Sequence, residues 1–387
     1  MRLGFNLVKL ILILLAGTVG VLHSCHSPNE KEPGSEPAFL EYNNPPLVWL
    51  NDNERSHIPP VVDPQHMQAL NDLVEEAKEA LLLPPNPVDT LFYEGLVSNH
   101  PKRLQTGVHL QDMARLHTLT WAFLFTRKPS YGEKAIEMVS AWAGVYRPTG
   151  NDVNENKLDI CFYAYEVFKD GLPSNPKEKI AAWLKEIARK QKEQWDPASG
   201  SSNRHIKRIK LIAMGGTVLE DDSLITFAQS RIGPLLEKGF YADGTTRDLE
   251  RRDALHYHME SIFPFLELAI IMRNTGIDLY TYQPGQGGSV QKSLAYVFPY
   301  VKGEKEHKEW VHTKIEFDKK RWEAGDPFYR PGKIWDRTEA LPSLIIAARW
   351  DEAIPPLLED VVQELPPLDR ELRRLQLQVN CLTSNQP

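Results

Sequence analysis

Cysteine is scarce: Cys25, Cys161 and Cys381 are the only three in 387 residues, far apart and without a Cys-x-x-Cys pair. That excludes a disulfide-stapled scaffold and a zinc site built on thiolates. Cys161 and Cys381 are left as one disulfide in an oxidising compartment or as two buried thiols. Long apolar runs are also few. The one near the N-terminus, Leu10 to Leu22, is too short to span a bilayer, which excludes a multi-span membrane protein. Alternating strand patterns are rare throughout. Nor is there an excess of positive charge: 45 Lys and Arg against 52 Asp and Glu give −7. Taken over the whole molecule, this argues against nucleic acid and other polyanions as partners. What is present, 42% hydrophobic and 25% charged residues, is the balance of a folded globular chain.

Arg2 and Lys9 precede or flank the Leu10–Leu22 run, which fits an export signal. Leu22-His23-Ser24-Cys25 follows and resembles a bacterial lipobox, in which the cysteine is lipidated after cleavage. Residues 1–24 are therefore expected to be a lipoprotein signal and Cys25 the lipidation site. Residues 25–60, with Ser27 to Pro37 polar and rich in proline, read as a flexible tether. Residues 61–387 read as one catalytic domain. The expected location is the bacterial cell envelope, with membrane contact through the lipid anchor only.

From about residue 64 the pattern is helical. Apolar spacing predicts segments over 67–83, 112–126, 131–146, 158–168, 177–195, 206–215, 222–238, 254–275, 289–301, 338–350 and 357–377. No low-complexity linker divides them, and no heptad or strict repeat is visible. The expected fold is all-α, an incomplete (α/α) toroid of paired helices, with a globular helical bundle as second choice.

Two clusters carry chemistry. In the first, Ser201-Ser202-Asn203-Arg204-His205 lies in a predicted loop before a helix starting near Ile206, a setting suited to an anion. Between Trp195 and Met214, Arg204, Lys207, Arg208 and Lys210 face only Asp196. A capping Asn203 beside a solvated basic face is the bland alternative. In the second, Asp243-Gly244 marks a turn, and Arg251-Arg252-Asp253-Ala254-Leu255-His256-Tyr257-His258 opens a long apolar helix. Helix-start salt bridges of Arg251 or Arg252 with Glu250 or Asp253 are the structural alternative. His256 and His258, two apart, point to different helix faces and make no metal pair.

These segments resemble the alginate-lyase superfamily of α/α-toroid polysaccharide lyases over roughly residues 90–350. The likeness is carried by Ala141-Trp142 to Pro148-Thr149-Gly150, Asn154-Glu155-Asn156-Lys157-Leu158, Asn203-x-His205 and Asp253 to His258. It is closer to polysaccharide lyase family 38 than to family 5. The resemblance implies Asn203, His205, Arg252 and Tyr257 as the catalytic set. Two departures stand out. The Asn and His are adjacent in family 5 but separated here by Arg204, and the position seven before the tyrosine is Glu250. Arg251 or Arg252 would then supply the charge, with Arg252 preferred.

Such a set suits β-elimination on a uronate. Asn203, His205 and Arg252 would meet charge building on the C5 carboxylate as it becomes enolate-like. Tyr257 would take the C5 proton and protonate the leaving O4, both ends of a syn elimination. In an anti elimination His205 would be the base and Tyr257 the acid. Trp195, Arg204, Arg251 and His256 are candidate substrate-binding residues, and Gln105, His109 and Arg115 could face the cleft. No cofactor or metal is expected. The expected partner is an anionic polysaccharide, alginate or polymannuronate first and glucuronan next, bound by a monomer. Two other readings stay open: a toroid glycoside hydrolase using Asp243, Glu250 or Asp253, and a surface glycan-binding lipoprotein without turnover.

Overall fold

The computed structural model describes residues 44–196, 201–364 and 368–382. Residues 1–24, Cys25 and the Ser27–Pro37 segment lie outside them. The principal helices are α1 (Pro64–Leu81), α2 (Pro101–Thr126), α3 (Pro129–Val145), α4 (Asp159–Phe168), α5 (Ser174–Glu193), α6 (Asn203–Leu219), α7 (Asp222–Gly239), α8 (Leu255–Met272), α9 (Glu316–Glu323), α10 (Leu341–Ala347), α11 (Ile354–Glu364) and α12 (Arg370–Val379). Only isolated bridges, Phe240 with Thr246 and Lys308 with Ile334, represent β structure among the described residues.

Local sequence explains most of the boundaries. Proline occupies the first turn of α1, α2 and α3, where its missing N–H costs nothing. Asp63, Asp221 and Asp369 cap α1, α7 and α12 by accepting from backbone N–H groups of the first turn. Three expectations shift. α2 starts at Pro101 rather than Asp112, because its first turns are too polar to show an apolar stripe. The predicted 357–377 segment divides into α11 and α12, with Pro366-Pro367 between them in sequence. The short, highly charged α9 lacked an apolar pattern and was not expected.

Packing closes the helices into a ring. α1 contacts α2, and the contacts continue through α4, α6, α8 and α10 to α12, which returns to α1. α3 packs outside α2 and α4, α5 outside α3 and α6, and α7 outside α6. This is the all-α toroid expected from the sequence. α6 approaches its outer neighbours closely because of two glycines. A Cβ at Gly215 would stand 2.5 Å from Ala188 Cβ on α5, and one at Gly216 would stand 2.7 Å from Ile225 Cγ1 on α7.

The packed domain begins earlier than residue 61. Leu47, Val48, Trp49 and Leu50 are buried in the core, so at least this part of the expected tether belongs to the folded unit. Leu47 N–H donates to Glu267 Oε1 (2.9 Å), and Arg273 Nη1 donates to the Trp49 carbonyl (3.0 Å). Cys161 and Cys381 are buried free thiols, which settles the choice between thiols and a disulfide.

At the centre, Lys210 of α6 is buried between Asp159 of α4 (2.8 Å) and Glu267 of α8 (2.5 Å). Removing the ammonium would strand two carboxylates in the interior. Lys210→Met is expected to destabilise the fold by about 3–5 kcal/mol, read as a lower midpoint in urea denaturation with little change in slope.

Candidate active site

A cleft of about 280 Å³ opens where α2, α4, α6 and α8 begin. Its residues come from the early turns of these helices: Arg103, Asp159, Asn203, Arg204, Lys207, His256, Tyr257 and Glu260. Residues 93–95 form one flank, and Phe317, Arg321 and Tyr329 another. Helix N-termini carry partial positive charge. Side chains add to it, with seven Lys and Arg against four carboxylates along the lining. The −7 of the whole chain is thus reversed at the cleft.

The turn before α8 aims its side chains. The short helix Arg247–Arg252 is capped by Thr246 and ends at Asp253, whose φ of 49° puts it in the left-handed region that Asp tolerates. Ala254 cannot cap α8, and Glu309 does so from a distant loop, accepting from Leu255 N (2.6 Å) and His256 N (3.4 Å). Burial pushes the Glu309 carboxyl up to about 7, against the pull of His256. Asp248 accepts from Asn203 N (2.7 Å) and Ser261 Oγ (2.8 Å), joining the starts of α6 and α8.

Tyr257 is enclosed by cations. The Arg252 guanidinium lies over its ring, 3.8 Å from the centroid, and is anchored by Asp318 (2.5 Å). Burial opposes the Arg252 charge, but Tyr257 and Asp318 outweigh it and hold its pKa above the usual arginine value. Arg321 Nη1 donates to the hydroxyls of both Tyr257 and Tyr329, at 2.7 Å each, and the two hydroxyl oxygens are 3.4 Å apart. Trp310, Ala254 and the two tyrosines form a small buried cluster separate from the main core.

His256 is charged at neutral pH. Desolvation would lower its pKa, but Glu339, 2.8 Å from Nδ1, dominates together with Glu260 and raises it to about 9. Glu260 is 2.5 Å from Lys207 Nζ. Burial alone would raise its pKa, yet Lys207, His256 and Lys157 hold it down at about 2.

Of the predicted residues, Asn203, Arg204, Arg252, His256 and Tyr257 line the cleft. His205, Trp195 and Arg251 do not. Asn203 and His205 both lie in α6, not in a loop, and two positions on a helix are about 200° apart. The His205 ring therefore packs edge-on against Trp195, at 5.4 Å between centroids, with Nδ1 3.1 Å from Ser202 Oγ. Trp195 is half-buried against Phe227 and His205 rather than presented to a ligand. Arg251 is exposed, and of these two neighbouring arginines only Arg252 reaches Tyr257. Arg204 is bound to Asp152 (2.7 Å) and Glu94 (3.0 Å). Gln105, His109 and Arg115 lie elsewhere; Arg115 pairs with Asp112 at 3.0 Å. His258 is wholly buried between Thr246 and the Ser293 carbonyl, and burial lowers its pKa to about 4.

Sequence reasoning missed Tyr93, Arg103, Lys157, Arg321 and Tyr329. Arg103 and Lys157 both sit over the Tyr93 ring, 4.1 and 4.5 Å from its centroid. Lys157 lies in the 154–158 segment that carried the resemblance without being assigned to the site, and the signal for Arg321 and Tyr329 was the density of Arg and aromatic residues over 317–330. Among the described residues, no His, Cys, Asp and Glu cluster is arranged to hold a metal ion.

The alginate lyase family model matches residues 67–307, more than half of the chain. No curated protein matches. Among solved structures, an alginate lyase from Bacteroides ovatus superposes with a TM-score of 0.63 at 15% identity, over 86% of this chain and 98% of that one. Alginate lyase A1-III from Sphingomonas species A1 superposes with a TM-score of 0.54 at 21% identity, over 70% of this chain and 82% of that one. A histidine-to-alanine variant of A1-III in complex with a tetrasaccharide gives 0.52 at 21% identity, over 65% and 75%. Ring, cleft and family match agree: the chain belongs to the alginate lyase family and is a polysaccharide lyase.

Proposed function

We propose that the chain cleaves a polyuronate by β-elimination, alginate or polymannuronate first and glucuronan next. One observation carries this reading: the Tyr257 hydroxyl lies in a cationic cleft with Arg252 across its ring and Arg321 on its oxygen. When a uronate loses its C5 proton, negative charge spreads into the C5 carboxylate. Asn203 and protonated His256 line the same cleft and are the groups to meet that charge. Tyr257 takes the proton, and the two guanidiniums stand where the oxygen and ring would carry its charge. His205, packed against Trp195, has no part in this scheme, so the anti route with a His205 base is set aside. The tetrasaccharide bound by the A1-III variant supports an oligosaccharide as the occupant of such a cleft. Cys25 and its lipobox remain the basis for placing the enzyme on the cell envelope.

Hydrolysis by a carboxylate pair fits less well. Each carboxylate lining the cleft is held by a cation: Glu94 by Arg204, Asp159 and Glu267 by Lys210, and Glu260 by Lys207. Asp243, Glu250 and Asp253 do not line it.

The purified enzyme is expected to generate the ultraviolet absorbance of an unsaturated uronate from alginate, mannuronan, guluronan, glucuronan or hyaluronan. New reducing ends without that absorbance would sink the lyase mechanism. Tyr257→Phe is expected to lose about 100- to 10,000-fold in kcat while keeping polymer affinity; a pure glycan binder would be unchanged. The protonated His256 gives the alkaline limb of the profile its position. Activity that needs the imidazolium is lost as pH rises through about 9. Glu339→Gln removes the main raising partner and moves that limb to lower pH, checked by kcat/KM against pH.

A further inference from the structure

The reaction needs two proton transfers, one from C5 and one to O4, and the cleft holds two phenols. Tyr329 is buried, its ring 5.1 Å from that of Trp310. Packing in that aromatic cluster would require no charged partner for its hydroxyl. Yet the hydroxyl is held by Arg321 Nη1 at 2.7 Å and lies 3.4 Å from the Tyr257 hydroxyl. Arg321 is itself positioned over the rings of Phe317 (4.5 Å) and Tyr329 (4.6 Å). Phe317, Arg321 and Tyr329 all lie beyond residue 307, where the family match ends. This wall of the cleft is therefore a contribution of the chain's C-terminal part and not of the matched segment.

We propose that Tyr329 is a second catalytic residue, the acid that protonates O4, while Tyr257 is the base at C5. The assignment rests on the lyase reading above. It replaces one tyrosine serving both ends with two tyrosines held by one guanidinium. In a syn elimination the C5 hydrogen and O4 are on neighbouring ring carbons and on the same face, so side-by-side hydroxyls face both. The Tyr257 phenolate takes the C5 proton, the electron pair forms the C4–C5 double bond, and the C4–O4 bond breaks. Tyr329 gives its proton to O4 and becomes the phenolate. The proton on Tyr257 then passes to Tyr329 across the 3.4 Å gap, restoring the starting state. Arg321 keeps its own proton throughout and faces the charge on whichever oxygen holds it.

The test uses Tyr329→Phe, which keeps the ring in its aromatic cluster and removes only the hydroxyl. With Tm unchanged, kcat on the best polymer of the panel is expected to fall by about 100- to 10,000-fold with affinity retained. A uronate carrying 4-nitrophenoxide at C4 needs no protonation of its leaving group. It should restore turnover to Tyr329→Phe and not to Tyr257→Phe. Wild-type kcat in Tyr329→Phe on polymer, or equal rescue of both variants, would overturn the assignment. Absence of elimination by the wild-type enzyme on every polymer would instead refute the lyase reading on which it rests.

Discussion

One buried ammonium organises this molecule. Lys210 joins Asp159 and Glu267 in the interior, and the three residues belong to three neighbouring helices of the ring. A charge out of water must be paired and hydrogen-bonded, so the helices cannot rotate or slide without exposing an unpaired group. The cleft inherits that constraint. Lys207 and Asn203 lie on the same face of α6 as Lys210, one and two turns nearer the N-terminus. Glu260 precedes Glu267 on α8 by two turns, and Tyr257 stands about one turn further toward the start of the helix. Once the triad sets the phase of both helices, the groups above it are directed into the cleft. Glu267 also accepts from Leu47 N–H, which binds the 47–50 segment to the same point.

Above this floor the cleft is electrostatically unlike the rest of the chain. Its cations have fixed partners: the exposed Arg204 on Asp152, and the more enclosed Lys207 on Glu260 and Arg252 on Asp318. Fixed partners remove the reorganisation that a mobile lysine would require when charge develops. His256 is charged for the same reason, because Glu339 compensates its desolvation. A net charge of −7 describes the surface and not this cavity.

The helical class and much of the helix inventory were legible because apolar spacing is a local property. So was the start of α8. Arg252, His256 and Tyr257 lie within a few residues of each other, and a turn followed by an apolar run places them together whatever the rest of the chain does. His205 shows where locality misleads. Read as part of a loop, it could converge with Asn203; as the third residue of α6 it is turned to the opposite side and meets Trp195. A boundary displaced by three residues is enough to exchange a cleft residue for a packing residue.

By itself, then, the sequence determined an all-α chain with two reactive helix starts and a tyrosine between arginine and histidine. Only the tertiary structure decided what surrounds that tyrosine. Arg321 and Tyr329 arrive from a polar segment more than sixty residues further along; Glu339, from the short 3-10 helix Arg337–Ala340, charges His256, and Glu309, from a loop, caps α8. Periodicity reports which face of an element is buried; it carries no record of which distant loop will lie over a helix end. That juxtaposition follows from ring closure, and ring closure follows from packing and from the buried charge at its centre.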